Sequence, residues 1–186
     1  MSRVMIAVID MQQGFVNEYT EGIDRKILDF LESIKGADAC IVGTRYVNNE
    51  HTACYVFEGW KDCMEGTADA RVLDTLRPSL QRVFDKDKYS CWNEEMKRFV
   101  QEQGIQKVYF LGVNTGCCVL HSAFDCYNDL VDCSVITDLC GSTSGPAEHE
   151  AALVILRSCI TKERVISAKQ ATKEIRGRTV RQTNEV

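Results

Sequence analysis

A chain of 186 residues, 45% hydrophobic and 26% charged, has the length and composition of one globular domain. Its formal net charge of −5 argues against a nucleic-acid or anionic-membrane partner. No apolar run approaches membrane-spanning length, and the opening MSRVMIAVID is too short an apolar run for a signal peptide, so a cytoplasmic protein is expected.

In chain order, Val4–Asp10 reads as a buried strand. A helix follows over Asp24–Lys35, with Ile23, Ile27, Phe30, Leu31 and Ile34 on one side and Gly36 at the C-terminal cap position. Ala39–Val47 is a second strand. The long stretch 48–81 holds Tyr55, Phe57 and Trp60 among glycines and charges, which suits a lid or a subunit contact better than a slack loop. Arg82–Lys86 and, later, Arg164–Ala168 are less pronounced strands. Asn93 can cap a helix over Glu94–Gln103. Lys107–Val113 is another buried strand, and Cys118–Leu130 carries Val119, Ala123, Cys126 and Leu130 at helical spacing, with Asn114 or Thr115 as its cap. Cys133–Asp138 is a strand, and Pro146 suits the first turn of a helix over Ala147–Cys159. From Lys169 the chain is polar, either a frayed end or a segment packed on a neighbouring subunit. Residues 1–168 are therefore expected as one domain and 169–186 as a tail. Strands alternating with helices imply a parallel sheet covered on both faces.

Ten cysteines, at 40, 54, 63, 91, 117, 118, 126, 133, 140 and 159, show no C-x-x-C spacing and accompany only three histidines. That spacing fits free thiols in a reducing compartment rather than a disulfide scaffold or a metal site. Ligands of parallel α/β sheets bind beyond the carboxyl ends of the strands. Asp10, Lys86 and Cys118 lie at such ends or in the turns just after them. A thiol needs a base to take its proton, and an ammonium steadies the developing charge, so these three supply nucleophilic chemistry without a metal. The start of a helix should lower the thiol pKa. His121, one turn beyond Cys118 on the same helix, sits behind the thiol and is read as structural.

Four segments carry a family resemblance. VIDMQQGF (8–15), KDKYSCW (86–92), GVNTGCCV (112–119) and TDLCGSTSGPAEHEAAL (137–153) are similar to the motifs of isochorismatase-like cysteine hydrolases, the superfamily of nicotinamidases and N-carbamoylsarcosine amidase. The resemblance implies a six-stranded parallel sheet in the order 3-2-1-4-5-6. It implies Asp10 as general base, Lys86 as the catalytic lysine and Cys118, the cysteine preceding Val, as nucleophile. Cys117 then falls at a variable position and His149 is a structural match. It further implies a cis Val113–Asn114 bond, with the N–H groups of Asn114 and Cys118 as an oxyanion hole. On strand 3, Lys86 must lean across two strand spacings of about 4.8 Å each to join Asp10.

Nicotinamidases carry an Asp-x-His metal motif after strand 2, which TRYVNNEHTACY (44–55) lacks, although Asn48, Glu50 and His51 lie there. No metal and no cofactor are expected, and nicotinamide is disfavoured as substrate. True isochorismatases cleave a vinyl ether without relying on the cysteine, so Cys118 with Asp10 and Lys86 points to C–N hydrolysis of a small amide or carbamoyl compound. Phe15, Trp60 and Trp92 are candidate pocket walls. A homo-oligomer is expected. Two alternatives stand beside this reading: a catalytically silent scaffold member, and a thiol redox protein using Cys117 and Cys118.

Overall fold

The computed structural model describes residues 3–183. Six strands, β1 (Arg3–Ile9), β2 (Ala39–Tyr46), β3 (Arg82–Lys86), β4 (Ile105–Val113), β5 (Asp132–Gly141) and β6 (Val165–Ile166), form one parallel sheet in the order β3-β2-β1-β4-β5-β6. Helices cover both faces: α1 (Ile23–Ser33), α2 (Ala53–Glu58), α3 (Glu94–Glu102), α4 (Leu120–Asn128), α5 (Pro146–Cys159) and α6 (Ala168–Thr183). Strand β1 is buried along all but its first residue because layers lie on both sides of it. Each apolar side chain so buried contributes about 1.5–3 kcal/mol.

Local chemistry sets the element ends. Asn93 Oδ1 accepts the Met96 N–H at 3.0 Å to open α3, and Pro146 opens α5. Strand order reverses between β1 and β4. There Gly112 has φ +112°, and a Cβ on it would lie 2.2 Å from the Ile9 carbonyl oxygen. Only glycine lets the two backbones run that close, and the site lies just beyond their ends.

One expectation changes. Residues 169–183 are not a loose tail but part of α6, whose Ala171 and Ile175 are buried. Glu174 accepts from Lys107 Nζ and from the Tyr109 hydroxyl, both at 3.1 Å, and Arg176 Nε donates to the Ser33 carbonyl at 2.8 Å. The polar side chains thus bind this chain's own sheet and α1. The rest of the tail lies outside the described residues. The stretch 48–81 folds around Tyr46, Cys54, Cys63 and Ala70, a small second core that walls one side of the site.

Candidate active site

Asp10 directly follows β1 with φ +45°, an uncommon conformation for a residue with a side chain. Thr44, on neighbouring β2, pins it twice. The Asp10 N–H donates to Thr44 Oγ1 at 3.1 Å, and the Thr44 hydroxyl donates to Asp10 Oδ1 at 2.6 Å. Lys86 closes β3 opposite Tyr46 in register and leans across the sheet. Its Nζ forms an ion pair with Asp10 Oδ2 at 2.7 Å, and donates to Cys118 Sγ at 3.3 Å and to the Lys88 carbonyl at 3.0 Å. The reach from strand 3 is therefore achieved.

Cys118 lies in a π-helical turn, Thr115–Val119, that leads into α4. The turn begins after the Val113–Asn114 peptide bond, which is cis. Neither proposed cap works as one. Asn114 Oδ1 instead accepts the Thr143 N–H at 2.8 Å, and Thr115 Oγ1 shares a 2.8 Å hydrogen bond with His149 Nδ1. The backbone bends to a wider turn, with the Val119 N–H reaching the Asn114 carbonyl at 3.2 Å.

The expectation of a lowered thiol pKa is overturned. Cys118 is raised well above an ordinary thiol, first by burial and then by the Asp10 carboxylate, while the Lys86 ammonium pulls the other way. Burial also opposes the charge on Lys86. Asp10 and Cys118 outweigh it and hold the ammonium above its usual value. At rest the site is a protonated thiol beside a buried carboxylate–ammonium pair. The carboxylate stands ready to accept the proton as the sulfur attacks.

The thiol opens into a cavity of about 410 Å³ lined by Phe15, Asn17, Tyr46, Cys54, Glu58, Trp60, Tyr89, Asn114, Cys117, Thr143 and Ser144. Phe15 and Trp60 stack with centroids 5.9 Å apart. Trp92 is not a wall: it is 5% exposed, and its indole N–H donates to Asp129 Oδ2 at 2.9 Å, away from the cavity. His121 also points elsewhere, with Nδ1 2.8 Å from the Cys117 carbonyl oxygen and its ring beside Tyr89. Asn48 is committed to the loop, donating to the carbonyls of Trp60 and Asp62. Among the described residues no three His, Cys, Asp or Glu side chains converge as a metal site.

Sequence reading missed several positioning groups. Gln12, fully buried, donates to the carbonyls of Tyr46 and Ala70 and accepts the Tyr46 N–H. Asn17 Nδ2 donates to the Thr143 carbonyl, so Asn17, Thr143 and Asn114 form a chain along the rim. Gln12 lies inside a quoted motif and was findable there. Tyr89 likewise lies inside the KDKYSCW motif, whereas Thr44 is singled out by the fold alone.

A buried thiol, carboxylate and ammonium thus meet at the order reversal of a parallel α/β sheet, beside a cavity. The chain belongs to the isochorismatase domain family, whose pattern it matches over residues 4–170. It is similar in fold to an isochorismatase-like hydrolase from Alkaliphilus metalliredigens (23% identity, TM-score 0.80, covering 93% of this chain and 99% of that one). A cysteine hydrolase from Pseudomonas syringae pv. phaseolicola is also similar (15% identity, TM-score 0.81, 94% and 93% covered). So is a nicotinamidase from Bacillus subtilis (18% identity, TM-score 0.77, 89% and 99% covered). Comparison with curated proteins returned no match.

Proposed function

We propose that this hydrolase cleaves a C–N bond of a small amide or carbamoyl compound through a thioester on Cys118, without a metal. The observation that carries the reading is Lys86 Nζ within 2.7 Å of Asp10 Oδ2 and 3.3 Å of Cys118 Sγ. Asp10 takes the thiol proton as sulfur attacks the carbonyl carbon. The oxyanion is received by the backbone N–H groups of Asn114 and Cys118, both at the cavity wall. As the tetrahedral intermediate collapses the C–N bond breaks, and Asp10 returns the proton to the departing nitrogen. Water, giving a proton to the same carboxylate, then attacks the thioester. Its C–S bond breaks, and the proton passes to Cys118.

The redox alternative has less support. Cys117 Sγ faces Glu148 Oε1 at 4.0 Å, and burial and Glu148 both raise its pKa. A silent scaffold would have no use for a buried charge pair aimed at a thiol. Ten free thiols support a reducing, cytoplasmic setting. Among the described residues no helix is long and apolar enough to cross a membrane. Exposed Val56 and Phe57 on α2 support the expected homo-oligomer, and a monomer by light scattering would remove that part.

Intact-protein mass spectrometry during incubation with a small amide library tests the reading. An acyl adduct on Cys118 with ammonia or amine release is expected, unchanged by EDTA. A Cys117–Cys118 disulfide, or activity lost to EDTA and restored by zinc, would reject it.

A further inference from the structure

The walls of the cavity carry charge of one sign. Among the described residues lining it, Glu58 is the only acidic or basic side chain, and it stands beside the Phe15, Tyr46, Trp60 and Tyr89 rings. Glu58 is exposed at the end of α2, and its Oε1 accepts the Tyr89 hydroxyl at 3.3 Å. That contact fixes the carboxylate beside the Tyr89 ring. Phe15 and Trp60 stack nearly parallel, at 18°, and Tyr46 packs on Trp60 at 5.7 Å. Ring faces carry negative quadrupoles; the Tyr46 face is already taken by Lys86 Nζ at 5.1 Å, so a substrate cation would meet the Phe15, Trp60 and Tyr89 rings and the Glu58 carboxylate.

Among the described residues lining the cavity there is no Lys, Arg or His to receive an anion. Lys86 is buried and spent on Asp10 and Cys118. Lys61 turns toward the Tyr55 ring, and Lys88 lines a neighbouring cavity together with Asp87. A substrate carboxylate would meet Glu58 unopposed. A volume of about 410 Å³ holds a compact molecule.

We infer that the substrate is a small amide bearing an ammonium or methylated ammonium group, held by Glu58 and the Phe15, Trp60 and Tyr89 rings while its carbonyl faces Cys118. This rests on the amidase reading for turnover, but the recognition itself is separable from it.

Three amides test the inference: trimethylammonioacetamide, its neutral isostere 3,3-dimethylbutanamide, and the smaller anionic malonamate. Ammonia release by the whole enzyme should favour the cation over the neutral isostere by about tenfold or more in kcat/KM, with malonamate slowest. Glu58→Gln should shrink the cation-to-neutral ratio severalfold. Binding to Cys118→Ala carrying Trp92→Phe, followed by the fluorescence of the remaining Trp60, should show the same order without turnover. Hydrolysis with no preference for the cation overturns the inference and leaves the amidase reading standing. Preferential cation binding to Cys118→Ala without hydrolysis by the intact enzyme supports the inference and rejects that reading for these amides. Equal binding of cation and neutral isostere, or no binding of either, overturns the inference.

Discussion

Lys86 Nζ stands 2.7 Å from Asp10 Oδ2, with the two side chains 2% and 0% exposed. Two charges so far from water are tolerable only as a pair, because each neutralises the field that desolvation would otherwise penalise. The pairing therefore binds the catalytic proposal to the stability of the domain.

Breaking the pair should cost more than dissolving it. Asp10→Asn leaves a buried ammonium and Lys86→Met a buried carboxylate, and each should lower unfolding free energy by about 3–5 kcal/mol. The double variant should lose clearly less than the sum of the two. Urea denaturation measures all three, and strict additivity would show that the charges do not feel one another. Both single variants that remain folded should lose turnover.

Cys118 should behave as a reluctant thiol. Its alkylation by iodoacetamide, followed by peptide mass spectrometry, should keep rising with pH beyond the ordinary thiol value of about 8.5. Lys86→Met removes the one positive influence on it and should move the profile further up in pH. An unchanged profile in that variant would contradict the 3.3 Å contact. His121→Ala is the control, and should shift neither profile nor rate appreciably.

Alkali should destabilise the fold. Burial pushes Cys91 up to about 11 and Cys140 up to about 12, and burial with Asp69 pushes Cys63 up to about 12. Unfolded thiols ionise near ~8.5. Above that pH the unfolded chain holds fewer protons than the folded one. Stability then falls with rising pH by about 1.4 kcal/mol per pH unit for each such thiol. Lys86 acts in the same sense: its folded value is raised, so its contribution is present below about 10.4 and lost above. Thermal unfolding from about pH 8 to about pH 10 should show this decline, with a shallower slope in Cys140→Ala. A flat profile would mean these thiols ionise freely in the folded state.

The two tryptophans should fail differently. Trp60→Ala removes a cavity wall stacked on Phe15 and should raise KM severalfold with a smaller effect on folding. Trp92→Phe loses the hydrogen bond to Asp129 and should cost about 2 kcal/mol of stability with KM unchanged. A rise in KM from Trp92→Phe would return that residue to the site.

Much of this was legible in the sequence because the relevant forces are local or repeat along the chain. Apolar runs of strand length, Asn93 and Pro146 at helix starts, and glycines at helix ends located the elements, and Arg82–Lys86 was placed with its observed bounds. A parallel sheet then directs attention to strand ends, where Asp10, Lys86 and the turn bearing Cys118 lie. Packing decided the rest. The polar α6 reads as a tail until Lys107 and Tyr109, more than sixty residues earlier, are set against Glu174. Trp92 and Trp60 look alike as letters, and only Asp129 on one side and Phe15 on the other separate them. The sign of the Cys118 shift went wrong for the same reason. The dipole of a helix start belongs to nearby sequence, whereas desolvation and the Asp10 carboxylate arrive from strands folded around it, and in a dry interior those effects are the larger.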